Sequence, residues 1–258
     1  MESRIQAYLR VAASHGRETE RIGPFLGTFN LSSDNPYLNY AIPDEGATPS
    51  PADVAALIAA YERRWRKPRL EYISKLAPAV EQTLIDAGFE VERRTPLMVC
   101  APDSGQPIPN PPGIELLVPA TDNEIRGMIM AQNEAYGEPP HTPGAEAIAR
   151  FRSNMAEGML AVMARVEATG EPAGGGVGTI PHGGITEIAG IGVREAYRRR
   201  GIAAALTSRL LQEAFAAGVT LPFLMAAAEA EERIYARAGF TTIGDVLHIS
   251  HQLPLLII

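Results

Sequence analysis

ITEIAGIGVREAYRRRGIAAALTSRLLQEAFAAG, Ile185 to Gly218, changes its period halfway. Its first part reads as a strand, Ile185 to Val193, bearing Ile188, Ile191 and Val193. A basic turn follows, Arg198-Arg199-Arg200-Gly201, and a helical pattern then runs to a stop at Gly218. Leu206, Leu210 and Ala214 recur at four-residue spacing beside Leu211 and Phe215, so one helix face is apolar. A strand, a short turn ending in Gly and a helix opening on Ile202-Ala203-Ala204 make an anion site. The first helical turn has backbone N–H groups without intrahelical partners, and the helix dipole is positive there. Small residues at Gly201 and Ala203 admit a diphosphate close to the backbone, and three arginines raise the local positive potential.

Arg198-x-x-Gly201-x-Ala203 resembles the Arg/Gln-x-x-Gly-x-Gly/Ala signature of the GNAT (Gcn5-related) N-acetyltransferases, and it follows a strand ending in Val as in that family. The resemblance implies that the turn and helix start, Arg198, Arg199, Arg200, Gly201, Ile202, Ala203 and Ala204, hold the pyrophosphate of coenzyme A. It implies that the strand edge Ile191, Gly192 and Val193 pairs with the pantetheine arm, and that the acyl donor is acetyl-CoA, with no metal. The other reading is a solvated arginine run before an ordinary helix.

The rest of the composition sets bounds. With 258 residues the chain can build one large domain or two small ones. Hydrophobic content of 46% and charged content of 21% are those of a globular protein. A net charge of −7 argues against binding nucleic acid through general electrostatics. The single Cys100 excludes an internal disulfide framework and fits a reducing compartment. MESRIQAYLR lacks the apolar run of a signal peptide, and no window suits a membrane span, so a cytoplasmic location is expected.

Along the chain, a helix is expected over 1–13, strands at Gly23–Asn30 and Pro36–Ile42, and a helix opening at Pro51-Ala52-Asp53. A strand at Leu70–Ile73, a helix from Pro78 closed by Gly88 and a strand Val91–Cys100 complete the first half. Residues 101–113, with five prolines and two glycines, cannot supply ladder or helix and read as a linker. The expected division is therefore 1–100, a linker 101–113, and 114–258. The second half opens with a strand Ile114–Val118 and a helix capped by Thr121 with Glu124 three residues on. A helix Gly144–Met155 and strands Leu160–Val166 and Gly175–Ile180 lead into Ile185. After Gly218 come a strand Leu221–Ala227, a helix Glu229–Ala238 and a last strand. This order is the one the resemblance implies.

Ala87-Gly88-Phe89 and Ala238-Gly239-Phe240 stand 151 residues apart. At the same offset Ile42 falls on Val193, Ser50 on Gly201, Ala52 on Ala203 and Tyr72 on Phe223. Strands and helices coincide without a gap, which points to two copies of one architecture, although identities are few. In the first copy Thr48-Pro49-Ser50 replaces the basic turn, so that copy is degenerate. The expected fold is α/β with α+β character: two tandem GNAT-like halves, each a mostly antiparallel mixed sheet flanked by helices.

The helix Glu229-Ala-Glu-Glu-Arg-Ile-Tyr235-Ala-Arg carries a second match, because family members often close with a Tyr four residues before Gly-Phe. By resemblance Tyr235 is the general acid: a phenol of pKa about 10 can protonate a thiol-type leaving group of about 8.5. Core packing is the alternative. An attacking ammonium must also lose a proton, and Glu187, six residues before Val193, is a candidate base by alternation onto one face. It also reads as a solvated edge glutamate. Glu134, Glu138 and His141 are further candidates. The Asn often found seven residues before the Tyr is Ala228 here. His248 and His251 point to opposite faces of a strand, poor metal geometry. The apolar tail Pro254–Ile258 reads as a strand or a subunit contact, which would make a homodimer. The resulting expectation is an N-acetyltransferase for a small-molecule amine, by direct attack in a ternary complex. The alternatives are an acyl-CoA-binding module without turnover, or a protein N-terminus or lysine as acceptor.

Overall fold

The computed structural model describes residues 1–227 and 229–252; Ala228 and the tail from Pro254 lie outside the described residues. The chain divides into two compact units. The first comprises Met1–Leu97 with the chain from Ile243 onward, the second Met98–Thr242. The division thus falls before the proline-rich segment, and the C-terminal strand joins the first unit.

In the first unit α1 (Glu2–Ser14) precedes a hairpin of β1 (Glu18–Ile22) and β2 (Phe25–Phe29). The polar β1 has no clear alternation and was not expected. Only the end of the expected strand Pro36–Ile42 forms, as β3 (Ala41–Pro43). Asn35 accepts the Tyr37 N–H and starts a 3-10 turn over Pro36–Leu38 instead. α2 (Pro51–Glu62), β4 (Arg69–Ile73), α3 (Pro78–Asp86) and β5 (Glu90–Val99) follow. β11 (Thr241–Ser250) pairs antiparallel with β4, from Val246 on Ile73 to Ser250 on Arg69. The strand order is β1-β2-β3-β4-β11-β5, with a parallel step between β3 and β4. α1 buries Ile5, Tyr8 and Leu9, and α2 buries Val54, Leu57 and Tyr61.

Arg69 is fully buried between these strands. Its guanidinium reaches Glu92 and Glu71, each at 3.0 Å, and His248 Nδ1 at 2.8 Å, while Thr95 Oγ1 lies 3.0 Å from His248 Nε2. Burial alone would raise the Glu92 carboxyl, but Ser250 and Arg69 overcome it and hold the pKa down at about 2. A depressed carboxyl stabilises the fold fully above its ordinary value of 4.5, and the contribution is lost as pH falls toward 2. Urea unfolding of this unit should therefore show a lower midpoint at pH 3 than at pH 6. The difference should shrink in Glu92→Gln.

The second unit begins with Met98–Cys100 and the proline-rich segment. It continues through β6 (Ile114–Leu117), α4 (Asp122–Ala135), α5 (Ala145–Ala156), β7 (Leu160–Val166), β8 (Pro172–Gly178) and β9 (Ile185–Val193). α6 (Ile202–Ala216), β10 (Leu221–Met225) and α7 (Glu229–Arg237) complete it. The Thr121–Glu124 capping box forms as the sequence implies. The strand order is β10-β9-β8-β7-β6; β6 to β9 are antiparallel, and β9 and β10 run parallel. A Cβ on Gly175 would meet Met128 of α4, and one on Gly176 would meet Leu210 of α6. The glycine run thus lets helices settle tightly on both faces of β8. α6 buries Ile202, Leu206, Leu210 and Leu211 in a core shared with Ile188, Leu224 and Phe240.

From α2 onward the 151-residue offset holds element by element. α2 begins at Pro51 and α6 at Ile202, α3 spans Pro78–Asp86 against Glu229–Arg237 of α7, and β5 spans Glu90–Val99 against Thr241–Ser250 of β11. Each copy also has one parallel strand pair at the matching place. By that correspondence, the strand closing the second copy in sequence is built into the first unit.

Candidate active site

Pairing of β9 with β10 covers Leu221 on Ile185 through Phe223 on Glu187 and goes no further, although β9 runs on to Val193. The two strands part at Glu187. Beyond that point lies a cleft of about 610 Å³ in the second unit. Ile191, Gly192 and Val193 line it from β9, Arg198, Arg199 and Gly201 to Ala204 from the turn and α6, Glu231, Ile234 and Tyr235 from α7, and Tyr136 from the end of α4.

The turn is built to leave donors free. Arg199 has φ +62° and Gly201 has φ +85°, left-handed values that tip successive N–H groups to one side. Gly201 caps α6 without a side-chain hydrogen bond. Among the described residues no backbone carbonyl takes the N–H of Arg199 through Ala204. A Cβ on Gly201 would meet nothing nearer than Pro111 at 4.0 Å. Open N–H groups at a helix start, beside exposed arginines, suit a diphosphate, so coenzyme A fits the residues present.

The arginines divide their duties. Arg198 lines the cleft but spends its donors on backbone, Nε donating to the Val193 carbonyl at 3.1 Å and Nη2 to the Ala135 carbonyl at 3.0 Å. Arg200 donates to the Pro112 carbonyl at 3.2 Å, stacks near Tyr197 and does not line the cleft. Arg199 lines it.

The first copy is closed at the equivalent place. Ser50 caps α2 by accepting the Asp53 N–H, and Asp53 accepts the Ser50 N–H at 2.8 Å. The Ser50 hydroxyl and N–H hold the Asp53 carboxyl below its ordinary value. A carboxylate already occupies the donors that a phosphate would need.

Tyr235 is 9% exposed, packs edge-on against Phe240 with centroids 6.4 Å apart, and faces the cleft. Burial first, then the Glu231 carboxylate and Tyr136, push its phenol well above the ordinary range, so it stays protonated. It is both a core residue and a cleft residue.

Glu187 sits at the parting of β9 and β10, half-buried and outside the cleft lining. Strict alternation would put Glu187 on the face of Val193, but the strand does not alternate strictly. Gly175 pairs with Gly192 but Val177 with Ala189, so β9 carries one extra residue, a bulge at Gly190, whose φ is +63°. Glu187 therefore shares a face with Gly192, and Val193 with Ile188. Glu134 is ion-paired with Arg194 at 3.0 Å. Glu138 and His141 are exposed on the loop before α5.

Three residues at the site were not anticipated. Gln132 donates to the Gly190 carbonyl at 2.6 Å and pins the bulge. The Tyr136 hydroxyl donates to the Ile191 carbonyl at 3.4 Å, on the strand edge assigned to the pantetheine arm. Glu231 accepts the Ala227 N–H at 2.8 Å and stands one helical turn before Tyr235. That i, i+4 spacing was visible in the sequence; the bulge contacts were not.

Among the described residues no group of three or more His, Cys, Asp or Glu is placed to hold a metal, and no helix is long and apolar enough to cross a membrane. Burial pushes the Cys100 thiol up to about 11, which keeps thiolate scarce.

Residues 125–240 match the family model described as the acetyltransferase (GNAT) family. No curated protein matches the chain. Among solved structures, a GCN5-related N-acetyltransferase from Kribbella flavida is 24% identical with a TM-score of 0.82, covering 99% of this chain and 97% of that one. A GCN5-related N-acetyltransferase from Sphaerobacter thermophilus is 19% identical with a TM-score of 0.66, covering 88% and 76%. A tandem GNAT protein from the clavulanic acid biosynthesis pathway is 15% identical with a TM-score of 0.63, covering 88% and 77%. These likenesses fix the fold.

Proposed function

We propose, from the premise that residues 125–240 form a GNAT-family acetyltransferase domain, that the protein acetylates a primary amine of a small molecule. The observation that carries this reading is the run of open N–H groups from Arg199 to Ala204, joined by one cleft to Tyr235. Acetyl-CoA, when bound, would supply the acyl group as an activated thioester. The Arg199–Ala204 backbone would hold its diphosphate, and the β9 edge at Ile191–Val193 its pantetheine arm. Tyr235 Oη holds a proton for the departing thiolate. Glu187 lies outside the cleft lining but at the parting of the strands, on the face of Gly192, which lines the cleft; it is the base we assign to the incoming ammonium, acting through water. Transfer is direct, within a ternary complex.

Gly201→Glu would strain a left-handed cap and set a negative charge against the diphosphate. Calorimetry should find one coenzyme A per parent chain and affinity reduced at least about 100-fold in the folded variant, the equivalent of two or more lost charge-assisted hydrogen bonds. Unchanged affinity would show the site misplaced, and two bound molecules would show that the first copy also binds. Coenzyme binding without turnover over a broad amine panel would favour a binding module instead.

A further inference from the structure

Residues 101–113 contain no helix or strand, yet they are tied down along their length. The Gln106 N–H donates to the Ala238 carbonyl at the end of α7 at 3.1 Å. Ser208, on α6 and 2% exposed, donates its hydroxyl to the Gln106 carbonyl at 2.8 Å and accepts the Ile108 N–H at 3.0 Å. The neighbouring Thr207 bonds back to the Ala203 carbonyl within its own helix, the usual fate of a helical hydroxyl. Ser208 is spent on the strap instead. Three residues further on, Pro111 comes within 4.0 Å of where a Cβ on Gly201 would stand, and the Pro112 carbonyl holds Arg200. Prolines at 107, 109, 111 and 112 stiffen the segment, so a pin at 106–108 is felt at 111–112.

We infer that Ser208 is a positioning residue for coenzyme binding. Through the strap it keeps Arg200 and the turn beside it in the form whose N–H groups converge. The inference rests on that turn being the diphosphate site. Unpinned, the turn must be ordered by the ligand itself, and affinity falls by that amount.

The test is calorimetry with coenzyme A on the parent, Ser208→Ala, Ser208→Thr, Arg200→Ala and the Ser208→Ala/Arg200→Ala double variant. Ser208→Ala should bind about tenfold more weakly, as expected for about 1.4 kcal/mol, and Ser208→Thr should recover most of the loss. The two alanine changes should be less than additive, because both act through the strap. Pro112→Gly, at an exposed position, provides a second route: it loosens the strap while leaving the pin and the carbonyl, and should also weaken binding. Parent-like affinity in Ser208→Ala, full additivity, or lower thermal stability with unchanged affinity would overturn the inference. Should Ser208→Ala not fold, Pro112→Gly decides alone. A parent that binds no coenzyme A would overturn the site assignment itself, and this inference with it.

Discussion

Tyr235→Phe is expected to lower kcat about 10²–10⁴-fold, the usual effect of losing a positioned acid, with coenzyme affinity nearly unchanged. The substitution keeps the ring, its edge-on contact with Phe240 and its place in the core, and removes only the hydroxyl. Because burial, Glu231 and Tyr136 raise the phenol above its ordinary value of 10, the acid form is present throughout the neutral range. Any alkaline loss of rate from this group therefore begins above pH 10. Single-turnover rates with a verified amine, beside a thermal melt, separate the two roles of the residue. An unaltered rate with a lowered melting point would return Tyr235 to packing alone.

Arg69→Ala should destabilise the first unit by about 3–5 kcal/mol, the scale for breaking a buried ion pair. The loss is large because two carboxylates, Glu71 and Glu92, keep their charge after their shared guanidinium is gone. Glu71 is held below its ordinary value against burial by His248 and Arg69, so it stands to lose a main support. Denaturant unfolding followed at the Tyr-rich first unit measures the change. The triple variant Arg69→Leu/Glu71→Leu/His248→Leu should recover much of it, since the buried carboxylate and imidazole go with the guanidinium and Glu92 keeps Lys67 at 3.1 Å. A cost under about 1 kcal/mol for Arg69→Ala, the range of an exposed pair, would contradict the role given to the cluster.

Much of the second unit was legible because its signals are local. The α6 stripe, the Thr121–Glu124 box and the stop glycines at 218 and 239 each need only their own turn of chain. The 151-residue offset placed three pairs of elements for the same reason. What escaped was pairing. Nothing in Thr241–Ser250 states which strand it will join, and its destination beside β4 is fixed by His248 meeting Arg69 and Glu71 from distant parts of the chain. Charged residues in an otherwise buried strand were the available hint. The bulge at Gly190 escaped for a different reason. A glycine among apolar residues reads as a small strand residue until its partner strand shows the extra residue, and that single slip moved Glu187 to the other face.

Val246 pairs with Ile73 across more than 170 residues of intervening chain, with the whole second unit between them. On the ribosome that separation becomes a delay. At roughly 5–20 residues per second, β4 waits on the order of ten to thirty seconds for its neighbour, with an open edge and the buried arginine's imidazole partner, His248, still to be made. The first half of the message therefore encodes a unit that is finished last. A gene divided between its two copies would leave the first half without β11, the strand its sheet needs beside β4.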